Sequence, residues 1–264
     1  MRGRPYRGAR ALARRLGLVA AARASRRALV TRRDPALVWE QGRAGELAFW
    51  ERVLPERVAP GGMYVARDAD PRMDGAAPIT DPLMASVIDR VSGTEVSIID
   101  VGAGPLTSVK KTHPGKQLEI TATDPLADDY NRILDSLGVE PPIRTLAVRG
   151  EDLLDRFEPE TFDIAFGRNS IDHAVDPAAV IRTMLDLVKP GGFVVLWHLP
   201  AEGERHRYHG LHQWNFVVRD GALLIQRPRL PTVRVGASFE SVEDADCFER
   251  DGWLGCVLTR ESRP

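Results

Sequence analysis

A doubly wound α/β fold on a mostly parallel sheet is predicted by three observations. Near-continuous apolar runs, as in strands covered on both faces, alternate with stretches of helical apolar periodicity. The first run, Val96 to Val101, ends in the turn Gly102-Ala103-Gly104, where bare backbone can approach a ligand at the carboxyl end of a strand. A second run ends in Asp124, 20 residues after Gly104, where an acid can accept hydrogen bonds from ribose hydroxyls.

The chain has 264 residues, a hydrophobic fraction of 43% and a net charge of −1, which suits one large domain with an appendage. No apolar stretch approaches the roughly 20 residues needed to span a bilayer. Two cysteines, Cys247 and Cys256, are too few for a disulfide framework and match no metal-ligand spacing, so a reducing, cytoplasmic setting is expected. The small net charge hides an asymmetry. Residues 1 to 33 hold eleven arginines and neither lysine nor acid, and the remainder is net acidic. This tail, residues 1 to 33, reads as a mobile basic segment, a transit-like segment, or an amphipathic helix able to touch an anionic membrane surface. It is short and lacks interleaved aromatics, so no nucleic-acid partner is expected.

Residues 34 to 79 form an N-terminal extension. Asp34-Pro35 starts a helix carrying Trp39, Leu47, Phe49, Trp50, Val53 and Leu54, an acid cap before a proline being a favourable helix start. That stripe reads as core, part of which can cover a pocket, and a Pro/Gly/Asp-rich loop follows from Pro55. The main domain then occupies residues 80 to 264. Asp81-Pro82 starts a helix reaching about Val91, which leads into the first strand. A short helix is expected over 106 to 111, then a second strand over 118 to 124 and a helix bearing Ile133, Leu134 and Leu137. A third strand over 143 to 148 runs into Glu151 and Asp152, which are placed to contact an adenine amine. A fourth strand, from Phe162 to Gly167, precedes Asn169, Asp172 and His173. The next helix carries Val180, Ile181, Met184, Leu185 and Val188. Lys189-Pro190-Gly191-Gly192 stops it before a fifth strand over 193 to 197.

These residues resemble the class I S-adenosylmethionine-dependent methyltransferases. The resemblance rests on Ile99-Asp100-Val101-Gly102-Ala103-Gly104, Asp124, the segment from Phe162 to Asn169, and Lys189-Pro190-Gly191-Gly192. It implies a seven-stranded Rossmann-like sheet with an antiparallel edge strand, for which residues 253 to 258 are the candidate. It also implies S-adenosylmethionine as cofactor, held by Asp100, Gly102, Ala103, Gly104, Asp124, Pro125, Glu151, Asp152 and Asn169. A bacterial subgroup with Asn169-Ser170-Ile171-Asp172-His173 and Gly210-Leu211-His212-Gln213-Trp214-Asn215-Phe216 is similar too; its association with cell-surface carbohydrate and secondary-metabolite chemistry implies a small-molecule or glycoconjugate acceptor, and methylation at oxygen is the expectation adopted.

Methyl transfer from a sulfonium requires no metal, only in-line approach of the acceptor. A hydroxyl acceptor must lose a proton, and histidine is a suitable base. His173 is the first candidate and His198 the second. Tyr208, His209, His212 and Trp214 are expected to line the substrate pocket. His206, His209 and His212 recur every three residues, which makes a metal conceivable, although none is expected. Two other readings stay open. A nicotinamide-dependent oxidoreductase would share the glycine turn, but Thr107 stands where the dinucleotide fingerprint has its third glycine. A catalytically inactive scaffold at a membrane surface would use the arginine-rich tail.

Overall fold

In the computed structural model the described residues are 34–58, 72–109, 112–236 and 239–262. The arginine-rich tail, residues 1 to 33, lies outside them.

The sheet forms around strand β1, Glu95–Val101, whose side chains alternate between two buried layers. Val96 and Ile98 enter one layer, Ile99 and Val101 the other, the two-residue period expected of a strand covered on both faces. The parallel neighbours of β1 are β3, Lys116–Asp124, and β5, Phe162–Arg168. Beyond β5 come β6, Val188–His198, then β11, Trp253–Arg260, and at the edge β10, Val242–Arg250. The other edge of β3 carries two short strands, β2, Thr112–His113, and β4, Thr145–Ala147. The sheet thus has eight strands in seven positions, because β2 and β4 share one edge.

The strand expected at the edge is not there. Residues 253 to 258 belong to β11, which is antiparallel to β6 but sits between β6 and β10. Being antiparallel to β11 in turn, β10 runs in the same direction as the parallel strands. Its sequence, Val-Glu-Asp-Ala-Asp-Cys-Phe-Glu-Arg, is charged because an edge strand is half solvated. Cys247 and Cys256 are directly opposed in this β10–β11 ladder and are joined as a disulfide, in contrast to the free thiols expected.

Helix α1, Pro35–Val58, starts where Asp34 accepts the Ala36 amide and continues past Pro55. Helix α2, Pro82–Arg90, is capped by Asp81, which accepts the Met84 amide. Its Met84, Val87 and Ile88 cover one face of the sheet over Ile98, Ile164, Val195 and Val257. Helix α3, Ala127–Ser136, follows β3 and packs on α1 through Leu134, Leu106 and Leu54. Helix α4, Pro177–Leu187, capped by two bonds to Asp176, covers the opposite face of the sheet. That face is not closed by helices alone. Strands β7, Asn215–Arg219, β8, Ala222–Gln226, and β9, Val233–Arg234, make a second, antiparallel sheet. Its Phe216, Leu223 and Ile225 pack into the same layer as Leu196, Leu254 and Ile181.

Two local expectations also change. No helix forms over 106 to 109, because the Thr107 hydroxyl donates to Asp100 Oδ2 at 2.5 Å and accepts the Val109 amide at 3.1 Å. Such side-chain bonds compete with a helical turn. The segment Lys189-Pro190-Gly191-Gly192 belongs to the irregular start of β6 instead of preceding it. A Cβ at Gly192 would lie 2.8 Å from Lys189 O and 2.9 Å from Asp163 O, so glycine lets β5 and β6 close here. Among the described residues no helix is long and apolar enough to cross a membrane.

If the small sheet is part of the core, Phe216→Ala should lower stability by about 3–5 kcal/mol, the usual cost of emptying a buried aromatic site. Urea denaturation measures this, and a loss below about 1 kcal/mol would show that the small sheet contributes little to the core.

Candidate active site

The turn after β1 is fixed from the end of β3. The amides of Gly102 and Ala103 both donate to Thr123 O, at 2.8 and 2.9 Å, and the Gly104 amide donates to Asp124 Oδ2 at 3.1 Å. Thr145 on β4 donates its hydroxyl to Gly104 O at 2.9 Å. Gly102 has a φ of 74°, and a Cβ there would lie 2.5 Å from Ser170 Cβ and Oγ. Glycine is therefore required twice, by conformation and by space.

A cavity of about 390 Å³ opens over this turn at the carboxyl ends of the parallel strands. Asp100, Gly102, Ala103, Gly104, Asp124, Pro125, Glu151 and Asn169 all line it, and so does His173. Asp124 Oδ1 accepts the Leu126 amide at 2.9 Å, so the carboxylate braces the turn without capping α3, whose cap residue is Leu126. Each Asp124 oxygen keeps lone-pair capacity for a further donor. Burial pushes Asp124 up to about 7 and Asp100 up to about 6, against hydrogen bonds that favour their charged forms. Asp100 Oδ1 is buried and unpartnered. Glu151 lines the wall while its Oε1 accepts the amides of Val175 and Asp176. Asp152 does not line the cavity. Its side chain is half exposed, 3.6 Å from Arg149 Nε, because the 3-10 turn Gly150–Asp155 sends Glu151 to the cavity and Leu153 into the core but leaves Asp152 outside.

Sequence reasoning missed several wall residues. Trp39, Glu46 and Trp50 of α1 cover the turn, with Trp50 donating to Glu46 at 2.9 Å and meeting Tyr130 edge-on. Arg149 stacks over Trp39 at 4.9 Å. The aromatic stripe of α1 was the available signal. Tyr130 and Arg149 carried none, since only the fold brings them to the wall.

The histidines are placed differently from expectation. The His198 side chain is 1% exposed, packs on Phe216 and lies outside the cavity lining, and burial pushes it down to about 4 despite nearby Asp172. Tyr208 is buried with its hydroxyl bonded to Asn215, and Trp214 is buried with its indole donating to Ala174 O. His209 is exposed. None of these three lines the cavity, because the short helix Glu202–Arg205 stops before them and Gly210, at a φ of 62°, redirects the chain. His212 is also outside the wall but reaches it through His173. His212 Nδ1 lies 3.1 Å from His173 Nε2 and 2.9 Å from Asp172 Oδ2. Burial lowers His212, but the Asp172 bond and charge outweigh it and raise its pKa. Burial raises Asp172, and the surrounding imidazoles outweigh it and hold the acid low.

A ribose donating hydroxyls to Asp124 favours its ionised form. S-adenosylmethionine affinity should therefore rise with pH and level off above about 7, falling up to about tenfold per unit below it. Asp124→Asn should bind more weakly and lose this part of the slope. Calorimetric titration at several pH values checks it, and an unchanged slope in the variant would exclude Asp124 as the titrating contact.

A family described as a methyltransferase domain matches residues 99–196. The ubiquinone biosynthesis O-methyltransferase of Stutzerimonas stutzeri (strain A1501) is 32% identical over 120 residues, 43% of this chain and 49% of that protein. This alignment covers about half the length of that curated relative. The solved CurJ carbon methyltransferase is 15% identical with a TM-score of 0.52, covering 99% of this chain and 72% of that one, a likeness of fold. The Burkholderia thailandensis 1,6-didemethyltoxoflavin-N1-methyltransferase is 14% identical with a TM-score of 0.40, over 83% of this chain and 90% of that one, too distant to carry an argument. The domain match falls on the strands and turns that build the cavity, and over these residues the chain carries a methyltransferase domain.

Proposed function

We propose that the protein transfers the methyl group of S-adenosylmethionine to an oxygen of a small molecule or glycoconjugate. The observation that carries this reading is one cavity with the glycine turn and Asp124 on its wall and His173 on the same wall, after β5. The nucleoside would lie along Gly102, Gly104 and Asp124, with Glu151 beside the base. The acceptor would meet the methyl near Asn169 and His173. Methylation proceeds as the acceptor oxygen forms the C–O bond, the S–CH3 bond breaks, its electron pair stays on sulfur, and the hydroxyl proton leaves. His173, with Asp172 and His212 behind it, is the polar group able to accept that proton. Oxygen as the acceptor atom is supported by this histidine and by the name of the curated relative, an O-methyltransferase. The nicotinamide reading loses support because Thr107 has work of its own, holding Asp100 at the turn.

The experiment is to incubate the chain with methyl-labelled S-adenosylmethionine and a small-molecule and glycoconjugate extract, then find the labelled product by mass spectrometry. His173→Ala should reduce labelling by about 10²-fold or more while leaving cofactor affinity nearly unchanged. Full activity in His173→Ala would contradict its role, and a labelled nitrogen or carbon would contradict O-methylation.

A further inference from the structure

Asp172, His173 and His212 converge on a common point beside the cavity wall. Their nearest atoms are separated by 2.9 Å (Asp172 Oδ2 to His212 Nδ1), 3.1 Å (His173 Nε2 to His212 Nδ1) and 3.7 Å (Asp172 Oδ2 to His173 Nε2). Three atoms so spaced share a point about 2 Å from each, the bond length of a first-row divalent ion to imidazole nitrogen or carboxylate oxygen. The rings of His173 and His212 meet at 79° with centroids 4.4 Å apart, so their in-plane lone pairs can aim at one centre. A second combination, Glu202, His206 and His212, is also within ligand range. Its rings are stacked at 20° and 3.9 Å, which leaves their lone pairs parallel and not convergent.

Hydrogen bonding offers the centre of the cluster at most one proton, on His212 Nδ1, shared between Asp172 Oδ2 and His173 Nε2 if His173 carries its own proton on Nδ1. His212 Nδ1 carries either one proton or one lone pair. If it donates to Asp172, it cannot also accept from His173 Nε2; if it accepts from His173, it faces the Asp172 carboxylate lone pair to lone pair. A cation at the shared point satisfies all three atoms at once. The charge is suited to it. Asp172 is 2% exposed and Glu202 4% exposed, and Glu202 Oε2 lies 3.8 Å from His212 Nδ1. Asp172 Oδ1 is buried without a hydrogen-bond partner, 3.9 Å from the equally unpartnered His198 Nδ1.

We propose that Asp172, His173 and His212 bind a divalent transition-metal ion. Two imidazoles and one carboxylate suit zinc, iron(II), cobalt, nickel or manganese and leave coordination positions open. His173 belongs both to this set and to the cavity wall, and with its Nε2 on the ion its part in the transfer is to hold that ion, whose charge lowers the pKa of a bound hydroxyl, in place of taking the proton itself. The ion is therefore at the acceptor end, where its charge favours an acceptor bearing oxygen donors, a vicinal diol or hydroxy-acid group above a lone amine. This inference rests on the proposed methyl transfer for its substrate class, whereas ion binding itself is independent of it.

The test uses the full chain purified without a polyhistidine tag, stripped with a chelator and dialysed against zinc, manganese, iron(II), nickel or cobalt separately. Elemental analysis should find one ion per chain for at least one of these metals, and cobalt should give visible bands of a nitrogen–oxygen site. Asp172→Asn and His212→Ala should each weaken binding at least about tenfold, and His206→Ala should retain the ion. Circular dichroism and S-adenosylmethionine titration of each variant separate loss of ligand from loss of fold. No stoichiometric ion in the parent, binding that survives both ligand variants, or loss in His206→Ala would each overturn the proposal. Cofactor binding by the stripped parent with no ion taken up refutes the metal site alone. Ion uptake without cofactor binding refutes the methyl-transfer reading instead.

Discussion

The carboxylate of Asp124 joins the end of β3 to the turn after β1, and the geometry of the cavity depends on that link. One oxygen holds the Gly104 amide and the other the Leu126 amide, so the same group ties the glycine turn to the residue that precedes α3. The turn's glycines contribute no side-chain packing, and their left-handed backbone is entropically costly to order. Thr123 O and the Thr145 hydroxyl complete the bracing from neighbouring strands. Burial pushes this carboxylate up to about 7 in the free protein, so a ligand that supplies hydroxyl donors restores the hydrogen bonding that its charged form lost on leaving water.

The opposite wall is organised by a different constraint. The small sheet of β7, β8 and β9 closes the core on the same face as α4, and the segment before it carries Glu202, His206 and His212 up to the end of β5. Buried Asp172 then has imidazoles about it, and only His173 of these reaches the cavity. The glycine turn with Asp124 and the Asp172–His173 pair thereby stand at two separate strand ends, β1 with β3 for one and β5 with its following 3-10 turn for the other.

Much of this was legible in the chain because it is local. The apolar run of β1, the glycines, and the acid 20 residues later each state their role within one strand and one turn. Asp34, Asp81 and Asp176 likewise mark helix starts by a cap followed by proline. What was not legible depends on long-range pairing. β10 is charged because it lies at an edge, so its period-two signal is weak, and the order of β10 and β11 is fixed by packing and not by any residue in either. His198 and Trp214 were chosen for chemistry but are consumed by the core. Asp152 and His209 followed reasonable spacing and turned outward. Thr107, taken as a departure from a glycine fingerprint, proved to be a ligand of Asp100, which replaces the expected short helix by a side-chain-braced turn.

The account depends above all on which nucleoside the braced turn accepts. Parallel calorimetric titrations of the same preparation with S-adenosylmethionine and with NAD test it most directly. Saturable binding of S-adenosylmethionine at one site per chain, with no heat from NAD, is the expected result. Binding of NAD with none of S-adenosylmethionine by the folded protein would contradict it.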